Sequence, residues 1–431
     1  MLVYKTPLWD LFWTQETWED AVRTAQEKEL NESLIRKLCT VEGRTALMTL
    51  ILNGYRIAPP RNQKIPKDEP NEFRTVYINS DLDRIILSIV NDCLFKLFEE
   101  FVHPACKSYQ KGLSSQTTVK EVSQLLVAYG INSHEEVGYK YDFSKYFDKV
   151  DRKAVFDLIN KLERYEKSEQ GKDIILNIIR DYYMNDAYLD EHGKLIYKYQ
   201  GLKQGCAVAS FFADALLYEL DEYMSKKYRI YIRYSDDLIV IHKNKTSHMT
   251  SDIETIISKY GVTLNPKKIK PIYTNIPFTF LGFKIRGNEI SLSKRRLEKF
   301  ENMVLDNTIR CNKTTCDKAR KRLLRVMCSG DYCWADSCLG TINSKHDIMI
   351  MNGFIMDALR AAEFGNRHTK LGGLGSCDDL KEGTVSRGKG KQVKTFKEKM
   401  PYIENYLSLQ CLIDNYLCGK AVFHAVINQH L

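Results

Sequence analysis

Apolar residues recur along the chain with two different periods. The clearest helical repeat lies between about residues 81 and 102, where apolar side chains return every three or four positions. They are Leu82, Ile85, Ile86, Ile89, Cys93, Leu97 and Phe101. Similar or charged amphipathic patterns predict helices in the stretches 1–60, 116–129, 151–185, 206–226 and 252–259, and in most of the chain after Ser293. The helical period therefore dominates both ends of the chain.

Shorter β-type runs lie between the helices. Residues 137–144 alternate between apolar or aromatic and polar side chains, which is typical of a strand. In residues 228–243, two runs of β-branched and aromatic residues flank Tyr234-Ser-Asp-Asp237, a pattern that predicts a β-hairpin with a polar tip. Further extended or hairpin segments are predicted at 65–78, around 192–193, and at 278–292. Strands among many helices predict an α+β fold.

The hairpin tip carries two adjacent carboxylates, Asp236 and Asp237. They would repel each other unless a cation lies beside them. Asp142 ends the predicted strand at 137–144, and neighbouring strands of one sheet would bring it next to this pair. Clustered carboxylates suit hard divalent cations such as Mg²⁺. Two such ions about 3.5–4 Å apart can activate a 3′-hydroxyl and stabilise a leaving pyrophosphate. An Asp-Asp pair in a turn usually has no role beyond forming the turn. The order of the motifs along the chain is therefore needed to decide whether this pair binds metal.

The composition favours one class of partner but does not identify the function. The 431 residues are 44% hydrophobic and carry a formal net charge of +9. A chain of this size can bury one large core or several smaller ones, and its basic balance favours an anionic partner such as nucleic acid. An ordinary soluble basic enzyme would have the same balance. A charge run after Ser293, from Lys313 to Arg325, favours phosphate contacts over a merely solvated helix face.

The cysteine pattern and the hydropathy suggest an intracellular setting. Twelve cysteines are scattered through the chain, and although Cys328, Cys333 and Cys338 recur every five residues, no CxxC pair occurs. We therefore expect free thiols in a reducing cytoplasm and no zinc site. No apolar run approaches the ~20 residues of a membrane span, and the N-terminus does not resemble a signal peptide. We expect a cytoplasmic protein without a membrane partner.

Five motifs, in chain order, resemble the successive palm motifs of reverse transcriptases. They are Asp142-Phe-Ser-Lys-Tyr-Phe-Asp148, Gly201-Leu-Lys-Gln-Gly205, Tyr234-Ser-Asp-Asp237, Leu264-Asn-Pro-Lys-Lys-Ile269 and Phe280-Leu-Gly-Phe283. Residues 65–74 and 108–115 resemble fingers motifs of the bacterial branch, which includes group II intron and retron enzymes. The resemblance covers about residues 55–290. It implies an RNA-directed DNA polymerase with fingers, a ferredoxin-like antiparallel palm sheet and a helical thumb.

The resemblance also implies a division of the chain and a partner set. The expected segments are an N-terminal helical extension (1–60), fingers (61–135), palm with fingers insertions (136–290), helical thumb (291–364), and a basic Gly- and Lys-rich loop with C-terminal helices (365–431). The expected cofactors are two Mg²⁺ ions per active site, with Mn²⁺ as a substitute. The expected partners are an RNA template, dNTPs and the cDNA product.

Residue roles implied by the resemblance follow the motif positions. Asp142, Asp236 and Asp237 would be catalytic and would bind the metals together with the Phe143 carbonyl. Phe147 would exclude a 2′-hydroxyl, and Lys268, or Lys267 one residue earlier, would lie near the leaving pyrophosphate. The other nucleotide-binding residues would be Lys67, Arg74, Gln204 and Gly205. The nucleic-acid-binding residues would be Tyr109, Lys111, Tyr234, Leu281, Gly282, Arg295, Arg296, Lys321 and Arg322.

Some positions depart from the family pattern. Lys203 stands where the family usually has proline, and Cys206-Ala207 replaces a common Ser-Pro pair. No histidine- and cysteine-rich endonuclease segment of the intron type and no clear retron thumb signature is recognisable, so the chain is most similar to the free-standing, defence-associated reverse transcriptases. That branch implies an associated non-coding RNA as template and a role against phage. The alternatives are a group II intron or retron-type enzyme, a palm-fold RNA-dependent RNA polymerase, and a non-catalytic, maturase-like RNA-binding scaffold.

Overall fold

The computed structural model describes residues 6–66, 73–169, 171–242, 248–311, 315–328, 333–364, 412, 414 and 418–430. The chain divides into two compact units. The first unit comprises Met1–Ser114 and Glu135–Ile272, and the second comprises Ser115–His134 and Tyr273–Leu431. Each unit is continuous in space but not in sequence. The predicted loop at 365–399 lies outside the described residues.

Four short helices open the first unit, and polar side chains define where they begin. They are α1 (Pro7–Phe12), α2 (Gln15–Arg23), α3 (Glu32–Leu38) and α4 (Val41–Leu52). Thr6, Thr14, Asn31 and Thr40 each accept a backbone N–H of the first turn, which satisfies groups that a helix start leaves unpaired. Trp9 and Trp18 are buried in the core of this unit. The tryptophans therefore anchor the opening helices.

Two four-stranded sheets form the β part of the first unit. One has the order β2-β1-β4-β5 and contains β1 (Arg61–Pro66), β2 (Phe73–Ile78), β4 (Ala187–Leu189) and β5 (Leu195–Tyr197). The other has the order β6-β7-β3-β8 and is antiparallel throughout. Its strands are β3 (Gly138–Asp142), β6 (Ile230–Tyr234), β7 (Asp237–Ile241) and β8 (Lys270–Ile272). The second sheet contains both the predicted strand and the predicted hairpin.

Helices of the first unit pack into one hydrophobic core with strands β3, β6 and β7. They are α5 (Asp81–Leu97), α7 (Tyr146–Lys149), α8 (Arg152–Tyr165), α9 (Ile174–Met184), α10 (Ala209–Ala215), α11 (Tyr218–Lys227) and α12 (Met249–Ile257). The single helix predicted at 206–226 is wrong in one respect, because the chain breaks at Leu216–Leu217 into α10 and α11. Short 3₁₀ turns lie at Glu99–Phe101, Ser258–Tyr260 and Pro266–Lys268.

The second unit joins a small sheet to helices. Strands β9 (Phe278–Phe280), β10 (Phe283–Arg286) and β11 (Glu289–Leu292) form an antiparallel sheet of order β11-β10-β9. Its helices are α6 (Ser115–Ala128), α13 (Lys294–Asn307), α14 (Cys316–Cys328), α15 (Lys345–Phe364) and α16 (Lys420–His430), with a π-helical turn at Ala335–Leu339. Across the described residues, no helix is both long enough and apolar enough to cross a membrane.

Candidate active site

The register of two strands brings the three predicted carboxylates together. Asp142, the last residue of β3, lies opposite Asp237, the first residue of β7. Asp236 lies in the two-residue turn between β6 and β7, and its carbonyl accepts the backbone N–H of Phe143 at 3.0 Å. The expectation that neighbouring strands place Asp142 beside the Asp236-Asp237 pair is therefore confirmed.

Two lysines lie against these carboxylates. Lys140 Nζ is 2.8 Å from Asp237 Oδ1, and Lys268 Nζ is 2.9 Å from Asp142 Oδ2. Of the two lysines named as alternatives, Lys267 and Lys268, it is Lys268 whose ammonium group contacts Asp142. Lys140 was not predicted, although its spacing contained a signal: residues two apart in a strand share a face, and Asp142 follows at that interval.

Burial and the neighbouring carboxylates raise the pKa of Asp236. Burial, followed by the neighbouring charges of Asp237 and Asp142, raises its pKa to about 6 from an ordinary value of 3.8. The ammonium group of Lys268 opposes this rise. Burial lowers the pKa of Lys268 itself, but its hydrogen bond to Asp142 and the three carboxylate charges outweigh burial and raise it. The site therefore holds more negative charge than its two lysines neutralise.

The donor set fits hard divalent cations. All three side chains offer carboxylate oxygens, which Mg²⁺ prefers, and the raised pKa of Asp236 indicates unmet demand for positive charge. Three carboxylates in one turn and one strand end could be shared between two such ions.

A buried arginine supports the hairpin from inside the first unit. Arg233, the residue before Tyr234, is fully buried and donates to both carboxylate oxygens of Asp221 at 2.7 and 2.6 Å. It also donates to the carbonyls of Asp214, at 2.8 Å, and Ser235, at 3.3 Å. A buried charge is tolerated only when it is paired and hydrogen-bonded in this way. Arg233 therefore fixes the strand that leads into the Asp236 turn.

A second set of hydrogen bonds holds the turn itself. Ser235 adopts a left-handed backbone (φ 57°), and its N–H donates to the hydroxyl of Ser108 at 2.9 Å. That hydroxyl donates in turn to Asp214 at 2.6 Å. The hydroxyls of Tyr109 and Ser235 are 2.9 Å apart. Tyr109, predicted to bind nucleic acid, thus braces the turn through its hydroxyl, while about half of its surface (47%) stays exposed.

Phe147 is placed by the glycine loop that follows in sequence. Its carbonyl accepts the N–H of Leu202 at 2.7 Å. Gly201 has φ +56°, and a Cβ there would lie 2.0 Å from the Phe147 carbonyl oxygen. Any other residue at Gly201 would force the two segments apart. The half-buried Phe147 ring packs edge-on against Tyr146, with ring centroids 5.6 Å apart.

The other end of the same loop lies on strand β2. Gln204 accepts the backbone N–H of Tyr77 at 2.7 Å, and a Cβ at Gly205 would lie 3.2 Å from backbone atoms of Tyr77. Arg74, three residues before Tyr77, is exposed on β2. The structure thus connects the strand of Arg74 to the loop of Gln204 and Gly205. Lys67 lies outside the described residues.

Lys203, which stands where the family usually has proline, is buried and donates hydrogen bonds. Its backbone is left-handed (φ 54°), a conformation that proline cannot adopt. Its Nζ donates to the carbonyls of Tyr182 and Asn185, the latter at 2.7 Å, and lies 3.9 Å from the Tyr182 ring centroid. Burial lowers its pKa to about 8. A buried ammonium group therefore fixes this loop.

A comparison with protein families matches residues 65–285, slightly more than half of the chain, to "Reverse transcriptase (RNA-dependent DNA polymerase)". The matched stretch includes all three carboxylates and the glycine loop. The chain belongs to the reverse transcriptase family. No curated protein sequence matches the chain.

Solved structures of telomerases are among those similar to this reverse transcriptase chain. Apo telomerase from Candida tropicalis without its C-terminal domain is 16% identical, with a TM-score of 0.38, over 58% of this chain and 59% of that one. Telomerase from Candida albicans, solved with a fragment of telomeric RNA, is 14% identical, with a TM-score of 0.41, over 72% of this chain and 61% of that one. The other apo telomerase structure from Candida tropicalis is 15% identical, with a TM-score of 0.41, over 71% of this chain and 57% of that one. The chain thus spans about three fifths of the length of these telomerase chains.

The predicted primer-grip residues of the reverse transcriptase motif lie in the second unit. Leu281 and Gly282 form the turn between β9 and β10, and both have positive φ (48° and 81°). A Cβ at Gly282 would lie 2.4 Å from Arg296 Nε. The Arg296 guanidinium stacks on the Phe283 ring at 4.2 Å and donates to the Ser337 carbonyl at 3.4 Å. Arg296, predicted to bind nucleic acid, therefore packs against this turn.

The remaining predicted nucleic-acid contacts differ in exposure. Arg295, Lys321 and Lys111 are exposed. Arg322 is half-buried and donates to the Asn307 carbonyl at 3.1 Å. Tyr234 is half-buried and lies opposite Asp237 in the hairpin. These placements leave exposed cations at Lys318, Lys321 and Arg325 of α14, where spacings of three and four residues put them on one helix face.

Proposed function

We propose that this chain copies an RNA template into cDNA by two-metal nucleotidyl transfer. The observation that carries the proposal is the β3–β7 register, which sets Asp142 opposite Asp237 with Asp236 in the adjoining turn. Family membership supports the reaction class. The buried supports of Arg233 and Ser108 add weight, because catalytic carboxylates have to be held rigidly.

In this proposal Asp142, Asp236 and Asp237, with the Phe143 carbonyl, would hold two Mg²⁺ ions, for which Mn²⁺ could substitute. The ions would supply activation of the primer 3′-hydroxyl and charge stabilisation at the leaving pyrophosphate. The chain's own groups position these events. Lys140 forms an ion pair with Asp237, and the Lys268 ammonium, which contacts Asp142, would protonate the leaving pyrophosphate.

The nucleotide would lie on the surface formed by β2, Phe147 and the glycine loop. Phe147 would contact the sugar and clash with a 2′-hydroxyl, which makes the polymerase select dNTPs. Gln204 and Gly205, held against Tyr77, would contact the incoming base pair. Arg74 would bind the triphosphate as a bidentate fork, and Lys67 would do so as a point charge.

The domain assignment follows the same proposal. Residues 61–135 would be fingers, 136–290 palm and 291–364 thumb, preceded and followed by helical extensions. In the second unit, the exposed cations of α14, Arg295 and the primer-grip turn would contact the sugar-phosphate backbone of the template–product duplex. In the first unit, Lys111 would also contact nucleic acid. Such contacts fix position without reading sequence.

Primer extension tests this function directly. A labelled DNA primer annealed to an RNA template should be extended with dNTPs and Mg²⁺, and extension should stop with EDTA. Extension with NTPs in preference to dNTPs would favour the RNA-dependent RNA polymerase alternative. A third alternative, a maturase-like scaffold, would be supported if an Asp236→Ala, Asp237→Ala double variant kept its biological function.

We further place the chain in the bacterial branch and among the defence-associated reverse transcriptases, acting in the cytoplasm on an associated non-coding RNA. This assignment rests on the motif resemblance at residues 65–74 and 108–115. RNA bound to the purified protein should then be dominated by one structured species. A random mixture of cellular RNA would contradict the assignment, and a group II intron or retron RNA would select an alternative branch.

A further inference from the structure

Outside the catalytic carboxylates, the second unit brings a thiol, a carboxylate and an imidazole together. Cys333 lies just before the π-helical turn that follows α14, Asp336 lies in that turn, and His424 lies on α16. One ligand atom from each residue lies within 4.8 Å of the other two. Cys333 is buried, and the side chains of Asp336 and His424 are only 13% and 22% exposed.

The orientation of His424 is the most informative feature. Its Nδ1 lies 2.9 Å from the backbone carbonyl of Cys328. A carbonyl can only accept, so in the neutral ring Nδ1 carries the proton and Nε2 presents its lone pair. That Nε2 is buried, has no hydrogen-bond partner and lies 3.5 Å from Asp336 Oδ1. A ring nitrogen oriented by a backbone carbonyl behind it is the usual arrangement of a metal-binding histidine.

The chemistry of the three groups selects the ion. Sulfur and imidazole nitrogen are ligands for Zn²⁺ and similar borderline metals, whereas Mg²⁺ takes oxygen ligands and keeps its waters. Two ligands from one turn, three residues apart, and a third from a distant helix match the geometry of a zinc site with one position left for solvent.

One cation already contacts this group. Lys420, on the same helix as His424, places Nζ 3.1 Å from Asp336 Oδ1. Its side chain is 60% exposed, so it can move into solvent when a divalent ion takes its place. Its position shows that Asp336 presents an oxygen to a positive charge at this point.

We propose that Cys333, Asp336 and His424 bind one Zn²⁺ ion, which joins α16 to the turn after α14. Binding would release the thiol proton of Cys333 to solvent, since the thiolate is the ligand. With water at the fourth position, the ion would tie α16 to the turn after α14 within the second unit. It is separate in ligand type from the Mg²⁺ site proposed at the Asp236 turn.

Metal analysis of the full-length protein tests this proposal. After purification without a metal-affinity tag and dialysis against EDTA, the protein is titrated with ZnCl₂ against a chromophoric chelator in excess Mg²⁺. We expect one equivalent of Zn²⁺ to bind, and Co²⁺ to give the absorption of a tetrahedral thiolate complex. His424→Gln and Asp336→Asn should each weaken binding at least tenfold, and Cys333→Ser should also remove the thiolate band.

The controls separate this site from other thiols and from catalysis. Cys418→Ser removes an exposed thiol near the same helix and should leave the Zn²⁺ stoichiometry unchanged. Asp236→Asn should leave it unchanged as well. Zn²⁺ should raise the melting temperature of the unaltered protein but not of His424→Gln, which also serves if Cys333→Ser fails to fold. Substoichiometric binding, or equal binding by all variants, would overturn the proposal.

Discussion

Arg233 and Asp221 form a fully buried fork, in which both carboxylate oxygens of Asp221 accept hydrogen bonds from one guanidinium. Because β6 carries Arg233 directly into the Tyr234-Ser-Asp-Asp237 turn, this pair connects α11 to the catalytic hairpin. The fork is a positioning device: neither residue is placed to touch substrate, but the turn depends on both.

Arg233→Met should therefore lower the free energy of unfolding by about 3–5 kcal/mol, because it leaves Asp221 buried without its partner. Urea denaturation checks this value. Arg233→Met combined with Asp221→Leu should recover much of the loss, and Arg229→Met, at an exposed position of the same segment, should change stability by less than about 0.5 kcal/mol. A single variant as stable as the control would show that the fork does not support the hairpin.

The parts of this site that a local sequence pattern specifies could be predicted, whereas side-chain pairings that no pattern specifies could not. The β-period and the polar tip predicted both strands, and their order placed Asp142 beside Asp236. Arg233 could not be paired from the pattern, because its partner Asp221 lies in a helix that the sequence predicted as the end of one longer helix. Similarly, His424 lies about ninety residues from Cys333, so a search for closely spaced cysteines missed that cluster. Among the residues that were missed, only Lys140 could have been predicted, from the two-residue period of the strand.

Phe147→Ala should raise incorporation of ribonucleotides relative to deoxyribonucleotides, because the ring that would exclude a 2′-hydroxyl is removed. The measurement is the ratio of kcat/KM for dNTP and NTP in single-nucleotide extension, with an expected fall in selectivity of at least tenfold. Phe156→Ala, at a half-buried position of α8, controls for lost packing. Unchanged selectivity in Phe147→Ala would assign the ring to packing alone.

Asp236 makes a pH-dependent contribution to stability. Its pKa in the folded protein, about 6, exceeds the ordinary value of 3.8, so the folded state binds more protons between these values and stability falls as pH rises through that window. In EDTA, Asp236→Asn should thus raise the free energy of unfolding at pH 7.5 by about 1–3 kcal/mol, and the gain should vanish near pH 4. Asp157→Asn, at an exposed carboxylate on α8, is the matched control. A gain that persists at pH 4 would contradict the assignment.

The exposed cations of α14 should set the salt dependence of RNA binding. Replacing Lys318, Lys321 and Arg325 with glutamine should weaken binding and reduce the slope of log Kd against log salt by about 2–3, since each phosphate contact contributes roughly 0.7–0.9. The matched control carries three glutamines at Lys153, Lys161 and Arg164, which are exposed cations of α8. Equal slopes in the two triple variants would show that the α14 cations face solvent and do not contact RNA phosphates.

The central claim is that Asp142, Asp236 and Asp237 together catalyse RNA-templated DNA synthesis. It is tested most directly by dNTP extension of a primer on an RNA template, comparing the unaltered protein with Asp142→Asn, Asp236→Asn, Asp237→Asn and the Asp157→Asn control. We expect each of the three active-site variants to lose at least a thousandfold in rate while remaining folded, and the control to extend normally. Extension at the normal rate by any of the three folded variants would contradict the account.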